Sequence, residues 1–148
     1  MEMHNLHWIM NILQHMNNGL VVVDRDYKIC MWNSFMENHS GFSVDDVDER
    51  VLFDVFPDLQ RSWFQKKIDT VFHLGCQAYT IWEERPYIFK FDNYRPITGN
   101  LDFMYQYSTL IPLTGVDTST SHVAILISDV TDAAVNRLAL MNANPKLS

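Results

Sequence analysis

The sequence predicts an α+β domain: a five-stranded antiparallel sheet with short helices on one face. Three observations carry that prediction. Two short apolar strands lie within residues 20–31, separated by an acidic turn. Residues 34–74 then space their apolar side chains as helices do. Residues 76–130 revert to the alternation of strands, so the helices are inserted after the second strand.

The elements follow in order. Residues 3–16 place Leu6, Ile9, Met10, Leu13 and Met16 on one helical stripe, and Trp8 and Ile12 on another. A helix apolar on two sides needs two partners, its own domain and a second copy of the chain, so Leu6, Ile9, Met10 and Leu13 are the expected dimer contact. Asn17, Asn18 and Gly19 end it. Leu20–Val23 reads as a buried strand. Asp24, Arg25 and Asp26 supply turn chemistry, and Tyr27–Met31 is the returning strand. Asn33 is placed to cap the next helix, which His39-Ser40-Gly41 breaks. Ser43 and Asp46 form a capping-box pattern, and VLFDVFP is a short element stopped by Pro57.

Asp58 is expected to cap a longer helix with Leu59, Trp63, Phe64, Ile68, Val71 and Phe72 inside and Gly75 closing it. Strands are expected at 76–84, 103–113 and 122–130. The VAILI core of the last suggests a central strand covered on both faces. In the second, Phe103, Tyr105 and Tyr107 share one face, and Met104, Gln106 and Ser108 the other. The aromatic segment between the first two strands is too long for a hairpin loop. Thr131 or Asp132 caps a final helix.

Composition removes several function classes. The 148 residues suit one domain with extensions, and nine Phe, six Tyr and four Trp supply a core. A net charge of −7 without a basic cluster opposes nucleic-acid binding. No apolar run approaches a membrane span and the N-terminus lacks a secretion signal, so a cytoplasmic protein with no membrane partner is expected. Cys30 and Cys76 form no CxxC pair and are expected to be buried as small apolar residues.

The stretch GLVVVDRDYKICMWNSFMENHSGFS resembles the opening of the PAS domain family: strand, acidic turn, strand, Trp-Asn pair, short helix and Gly-Phe-Ser turn. VAILISDVTDAAV is similar to the family's closing strand and its Asp-Ile-Thr-Glu signal, here Asp129-Val130-Thr131-Asp132. The resemblance spans residues 18 to about 132. It implies a PAS-like five-stranded sheet whose Trp-Asn junction turns the chain into helices enclosing a cavity. The middle of the chain is most similar to PAS sensor regions of bacterial diguanylate cyclases. Three segments result: residues 1–17 an amphipathic helix, 18–132 a sensor domain, and 133–148 a helical linker to an output domain in cis. Asp129, Thr131 and Asp132 would carry the signal outward.

Six histidines raise the question of metal or haem. His4 and His7 share a helix face but lack a carboxylate partner. In haem-binding members the ligand lies on the long helix. Here that position aligns near Trp63 and Phe64, which cannot ligate iron, and His73 suits a helix C-terminus. Neither cysteine lies in the motif of the flavin-binding branch. Haem and flavin are therefore disfavoured and the cofactor is unknown. Asp45, Asp46, Asp48 and Glu49 read as a solvated helix start. No nucleophile is paired with a base, so no catalytic residue is assigned.

A small-molecule site would appear as a few polar groups among aromatic ones, and the candidates are Asn33, Trp63, Tyr94, Arg95, Tyr105, Gln106 and Ser128. Arg95 can hold a carboxylate or phosphate, or can pin the long loop through Asp92 or Asp102. The expected function, as the resemblance implies, is a sensory and dimerisation module that regulates an attached output domain, a diguanylate cyclase, through ligand binding or dimer rearrangement. The alternative is a structural homodimer with a filled core, and a small enzyme with a pocket acid or base is a third.

Overall fold

The computed structural model describes residues 3–92 and 103–143. Among the described residues the elements in chain order are α1 (Met3–His15), β1 (Gly19–Asp24), β2 (Ile29–Trp32), α2 (Ser34–Ser40), α3 (Val44–Val47), α4 (Leu52–Val55), α5 (Arg61–Leu74), β3 (Ala78–Thr80), β4 (Gln106–Thr114), β5 (Thr120–Asp129) and α6 (Thr131–Ala143). The strands form one antiparallel sheet in the order β2-β1-β5-β4-β3, so the VAILI strand is central as its composition predicts.

The sheet's two faces differ. Val21, Val23, Val123, Ile125, Ile127 and Leu110 point inward and join Phe64, Ile68, Val71 and Phe72 of α5 in the main core. Leu20, Val22 and Ala124 point outward and are covered in part by Leu13 of α1. Two residues on opposite faces in succession is the period-2 rule acting on strands buried on both sides.

The acidic turn has a mechanical task. The Asp24 carboxylate accepts from the backbone N–H of Asp26 (2.9 Å) and Lys28 (3.0 Å), and Tyr27 takes a left-handed conformation, φ 64°. Between the two acids, Arg25 donates to the Thr120 carbonyl through Nε (3.1 Å) and Nη2 (2.7 Å), and its guanidinium lies 5.2 Å from the Phe72 ring centroid. The turn thereby clamps the start of β5. Gly19 sits where the chain enters the sheet, and a Cβ there would meet Met36 Sδ at 2.7 Å and Phe35 Cδ1 at 3.0 Å. A side chain at this position would have to displace Met36 and Phe35 of α2 from their packing on β1.

Several expected boundaries move. The returning strand begins at Ile29, because Tyr27–Ile29 pair with residues 49–52: the Leu52 N–H donates to the Tyr27 carbonyl (2.8 Å) and the Ile29 N–H to the Arg50 carbonyl (2.9 Å). This covers an otherwise open sheet edge. The long helix starts at Arg61 with Gln60 at its N-cap, while Asp58 lies in the preceding turn. The strand expected at 76–84 is only Ala78–Thr80, since the N–H groups of Glu84 and Arg85 turn back onto the Ile81 carbonyl. The strand expected from Phe103 begins at Gln106. Cys30 and Cys76 are exposed: Cys30 lies where the β1–β2 register slips, and Cys76 precedes β3. The Ser43/Asp46 capping box and the left-handed Gly75 cap (φ 66°) form as expected.

On the helical side, the Tyr27 hydroxyl donates to Asp69 (2.5 Å). Burial, then this bond, pushes the phenol from 10.0 up to about 12. The neutral form is favoured in the fold, so this contribution is complete below pH ~10 and is lost as pH rises through the folded value. Near-ultraviolet titration should show a late-ionising phenol that is absent in Tyr27→Phe. A single common transition would contradict the bond.

Candidate functional site

Burial and polar chemistry coincide on the inner face of β3 and β4 and at the junction between β5 and α6, as well as at Asn33. On β4 and the residues leading into it, alternation turns Met104, Gln106, Ser108 and Leu110 inward, all buried. Thr80 of β3 is paired opposite Ser108 and is buried as well. Gln106 is fully engaged. Its Oε1 accepts from the N–H groups of Ile88 (3.0 Å) and Phe89 (3.3 Å), and its Nε2 donates to the Phe89 carbonyl (2.6 Å). Ser108 Oγ is buried with no hydrogen-bond partner among the described residues.

At the junction, the Asp129 carboxylate accepts from the Thr131 N–H (3.0 Å) and hydroxyl (2.5 Å). Thr131 is completely buried, and its Oγ1 accepts from the Tyr105 N–H (3.1 Å). The Val130 N–H donates to the Tyr105 carbonyl (2.9 Å). The first turn of α6 is therefore bonded to the lead-in of β4 and to the end of β5. His39 of α2, whose ring lies 4.3 Å from Phe35 and 5.7 Å from Phe91, also senses Asp129. Burial pushes its imidazole below the ordinary value against the pull of that carboxylate. Asp132 is exposed in the first turn, favourable to the helix dipole.

Residues 8–73 match the PAS domain family. Comparison with curated proteins returned no match. Among solved structures, a sensory box sensor histidine kinase from Vibrio cholerae superposes with TM-score 0.63 at 23% identity, covering 86% of this chain and 93% of that one. The PAS domain of Bordetella pertussis BvgS gives 0.64 at 13% identity, covering 97% and 98%. The PAS domain of nitrogen regulation protein NR(II) from Vibrio parahaemolyticus gives 0.54 at 13% identity, covering 81% and 95%. At these identities the likeness is one of architecture, and it agrees with the strand order and flanking helices. The chain has the PAS fold.

Within that fold the sequence candidates separate. Asn33 is buried and spends its amide on the protein. Its Oδ1 accepts from the N–H groups of Leu20 (3.1 Å) and Met36 (3.3 Å), and its Nδ2 donates to the carbonyls of Leu13 (3.1 Å) and Asn18 (2.7 Å). It caps α2, as expected, and ties α1 and β1 to it. Trp63 is half-buried beneath Arg85, whose guanidinium lies 3.9 Å from the ring centroid, in a surface groove rather than the PAS interior. Tyr105 packs outward on Trp82 (5.4 Å) and Phe103 (5.0 Å), and Ser128 pairs with the exposed Tyr107 on that same outer face. Tyr94 and Arg95 lie outside the described residues. Among the described polar candidates, Gln106 alone is placed on the inner face of the sheet.

Ser108 and Thr80 are the residues that sequence reasoning missed. Alternation already put Ser108 on the face of Gln106; its missing partner is visible only in three dimensions. His73 is exposed near the end of α5, while Phe64, Ile68, Val71 and Phe72 take that helix's inward positions. No group of three or more His, Cys, Asp or Glu among the described residues could hold a metal ion.

Proposed function

We propose that this PAS domain is a sensory and dimerisation module that reports the state of its interior to an output domain in cis through α6. The observation that carries the reading is Thr131. A completely buried hydroxyl, shared between Asp129 and the Tyr105 N–H, makes the start of α6 part of the sheet's hydrogen-bond system. A ligand that binds two arrangements of the sheet unequally would shift that junction. In this reading residues 1–17 form the dimer arm, 18–132 the sensor and 133–148 the linker, and the protein works in the cytoplasm. No described helix is long and apolar enough to cross a membrane. The output is a diguanylate cyclase on the sequence resemblance, while structural neighbours are named as histidine kinase sensors; the sequence of the intact gene product decides between them.

Thr131→Val keeps the shape and removes the hydroxyl. Hydrogen exchange in the first turn of α6 should accelerate about tenfold, as for a lost charge-assisted bond of ~1.5 kcal/mol, with β1 and β5 unchanged. Unchanged exchange in α6 would remove the proposed coupling.

The dimer arm is tested separately. On α1, Leu13 is seated on its own sheet, whereas Leu6, Ile9 and Met10 are 48%, 41% and 57% exposed and face no described partner. Ile9→Glu should therefore give monomers in sedimentation while the sheet core stays folded, with the amide exchange of β1 and β5 unchanged. Leu13→Glu mixes the two roles. Dimers that survive Ile9→Glu would exclude this face.

A second reading, the filled structural homodimer, is favoured by one specific observation. Ile88, Phe89 and Phe91 occupy the core, and the Gln106 carboxamide is saturated by the backbone of Ile88 and Phe89. Native mass spectrometry of protein made in cells, followed by extraction, separates the readings: a recovered small molecule supports sensing.

A further inference from the structure

Resting on the sensory reading, we infer that the segment Pro86–Phe91 is a built-in surrogate ligand, and that Gln106 and Ser108 form a site for a small uncharged planar amide such as a lactam or pyrimidine. The segment has no regular secondary structure, yet Ile88, Phe89 and Phe91 are buried. Its ends are held by the lead-in to β4: the Gln106 N–H donates to the Pro86 carbonyl (2.7 Å) and the Met104 N–H to the Phe91 carbonyl (2.8 Å). Its middle is read by the Gln106 carboxamide, which contacts both a donor and an acceptor of Phe89. A carboxamide satisfies any neighbouring N–H and C=O pair in the same way, whether from a peptide or a free molecule.

Ser108 supplies the independent observation. A buried hydroxyl without a partner is costly, and one step along the same face from Gln106 it is a vacant hydrogen-bonding position. The chemistry of the ligand follows from its walls. Thr80, Gln106 and Ser108 are uncharged, and Leu110, Ile125 and Ile127 around them are apolar, so an ion would be left uncompensated. The Phe89 ring fixes the size, since a six-membered ring would replace it. A surface groove of about 470 Å³, lined by Phe42, Phe56, Tyr87, Ile88 and Phe89, runs beside the segment and gives solvent a route to it.

The test uses the 148-residue protein with uracil and nicotinamide as probes and toluene as an apolar control. Binding of either amide should shift the Gln106 side-chain NH2 resonances and accelerate exchange of the Ile88 and Phe89 amides. Ser108→Ala, which leaves the segment's own bonds intact, should weaken that binding about fivefold, the worth of one ordinary hydrogen bond. Gln106→Leu should abolish it. Toluene bound without either amide would overturn this inference and leave the sensory reading standing. Amide binding indifferent to Ser108→Ala would overturn the site assignment. No binding by any probe, together with no small molecule recovered from cells, would overturn both.

Discussion

Asn33→Leu is expected to lower the unfolding free energy by roughly 3–5 kcal/mol, the sum of a lost helix cap and several buried backbone groups left without partners. The amide serves four bonds, two accepted and two donated, linking α1, β1 and α2. Leucine matches its volume but serves none of them. Urea denaturation should show an earlier midpoint with an unchanged slope, because the folded core stays compact. Asn33→Asp separates the two halves of the amide. It retains the accepting oxygen and replaces the donor with an anion facing the Leu13 and Asn18 carbonyls, so it should be destabilising too. A loss below about 1 kcal/mol for leucine would mean that water replaces the amide, and the junction would not be a rigid corner.

Phe64→Ala should cost about 3–5 kcal/mol, because a fully buried aromatic ring leaves a cavity that the surrounding sheet cannot collapse into. Phe64 stands on α5, the helix that packs across β4 and β5, so the cavity opens against the strands that carry Gln106 and Asp129. Calorimetry or urea titration reads the loss. A cost near 1 kcal/mol would indicate relaxation of α5 toward the sheet, visible as changed exchange in that helix. Phe64→Leu should recover most of the stability, since only part of the volume is removed.

The fold was legible because its signals are local and periodic. Strand alternation, the Ser43/Asp46 box, the Gly75 cap and the insertion of helices after the second strand all depend on residues a few positions apart. Boundaries moved where distant partners competed. Tyr27 and Lys28 look like strand but bond residues 51–52, and Trp82 continues an alternating pattern while packing on Tyr105. The candidate site was less legible for the same reason. Asn33 shows its capping role in sequence, but its bonds to Leu13 and Asn18 depend on how α1 folds back. Gln106 is recognisably inward-facing; that its carboxamide is occupied by Phe89 is not a property of neighbouring residues. Ser128 was named for its polarity, and the period of β5 turns it to the other face.

The attachment of α1 has a thermodynamic corollary. Its thirteen residues include none that is buried, and Asn33 and Ser34 grip only the carbonyls of its last turn, at Leu13 and Gln14. A helix that short is marginal in water without tertiary support. In the dimer proposed above, its coil-to-helix equilibrium and chain association would be a single linked process, and the ellipticity of residues 3–12 should then depend on protein concentration.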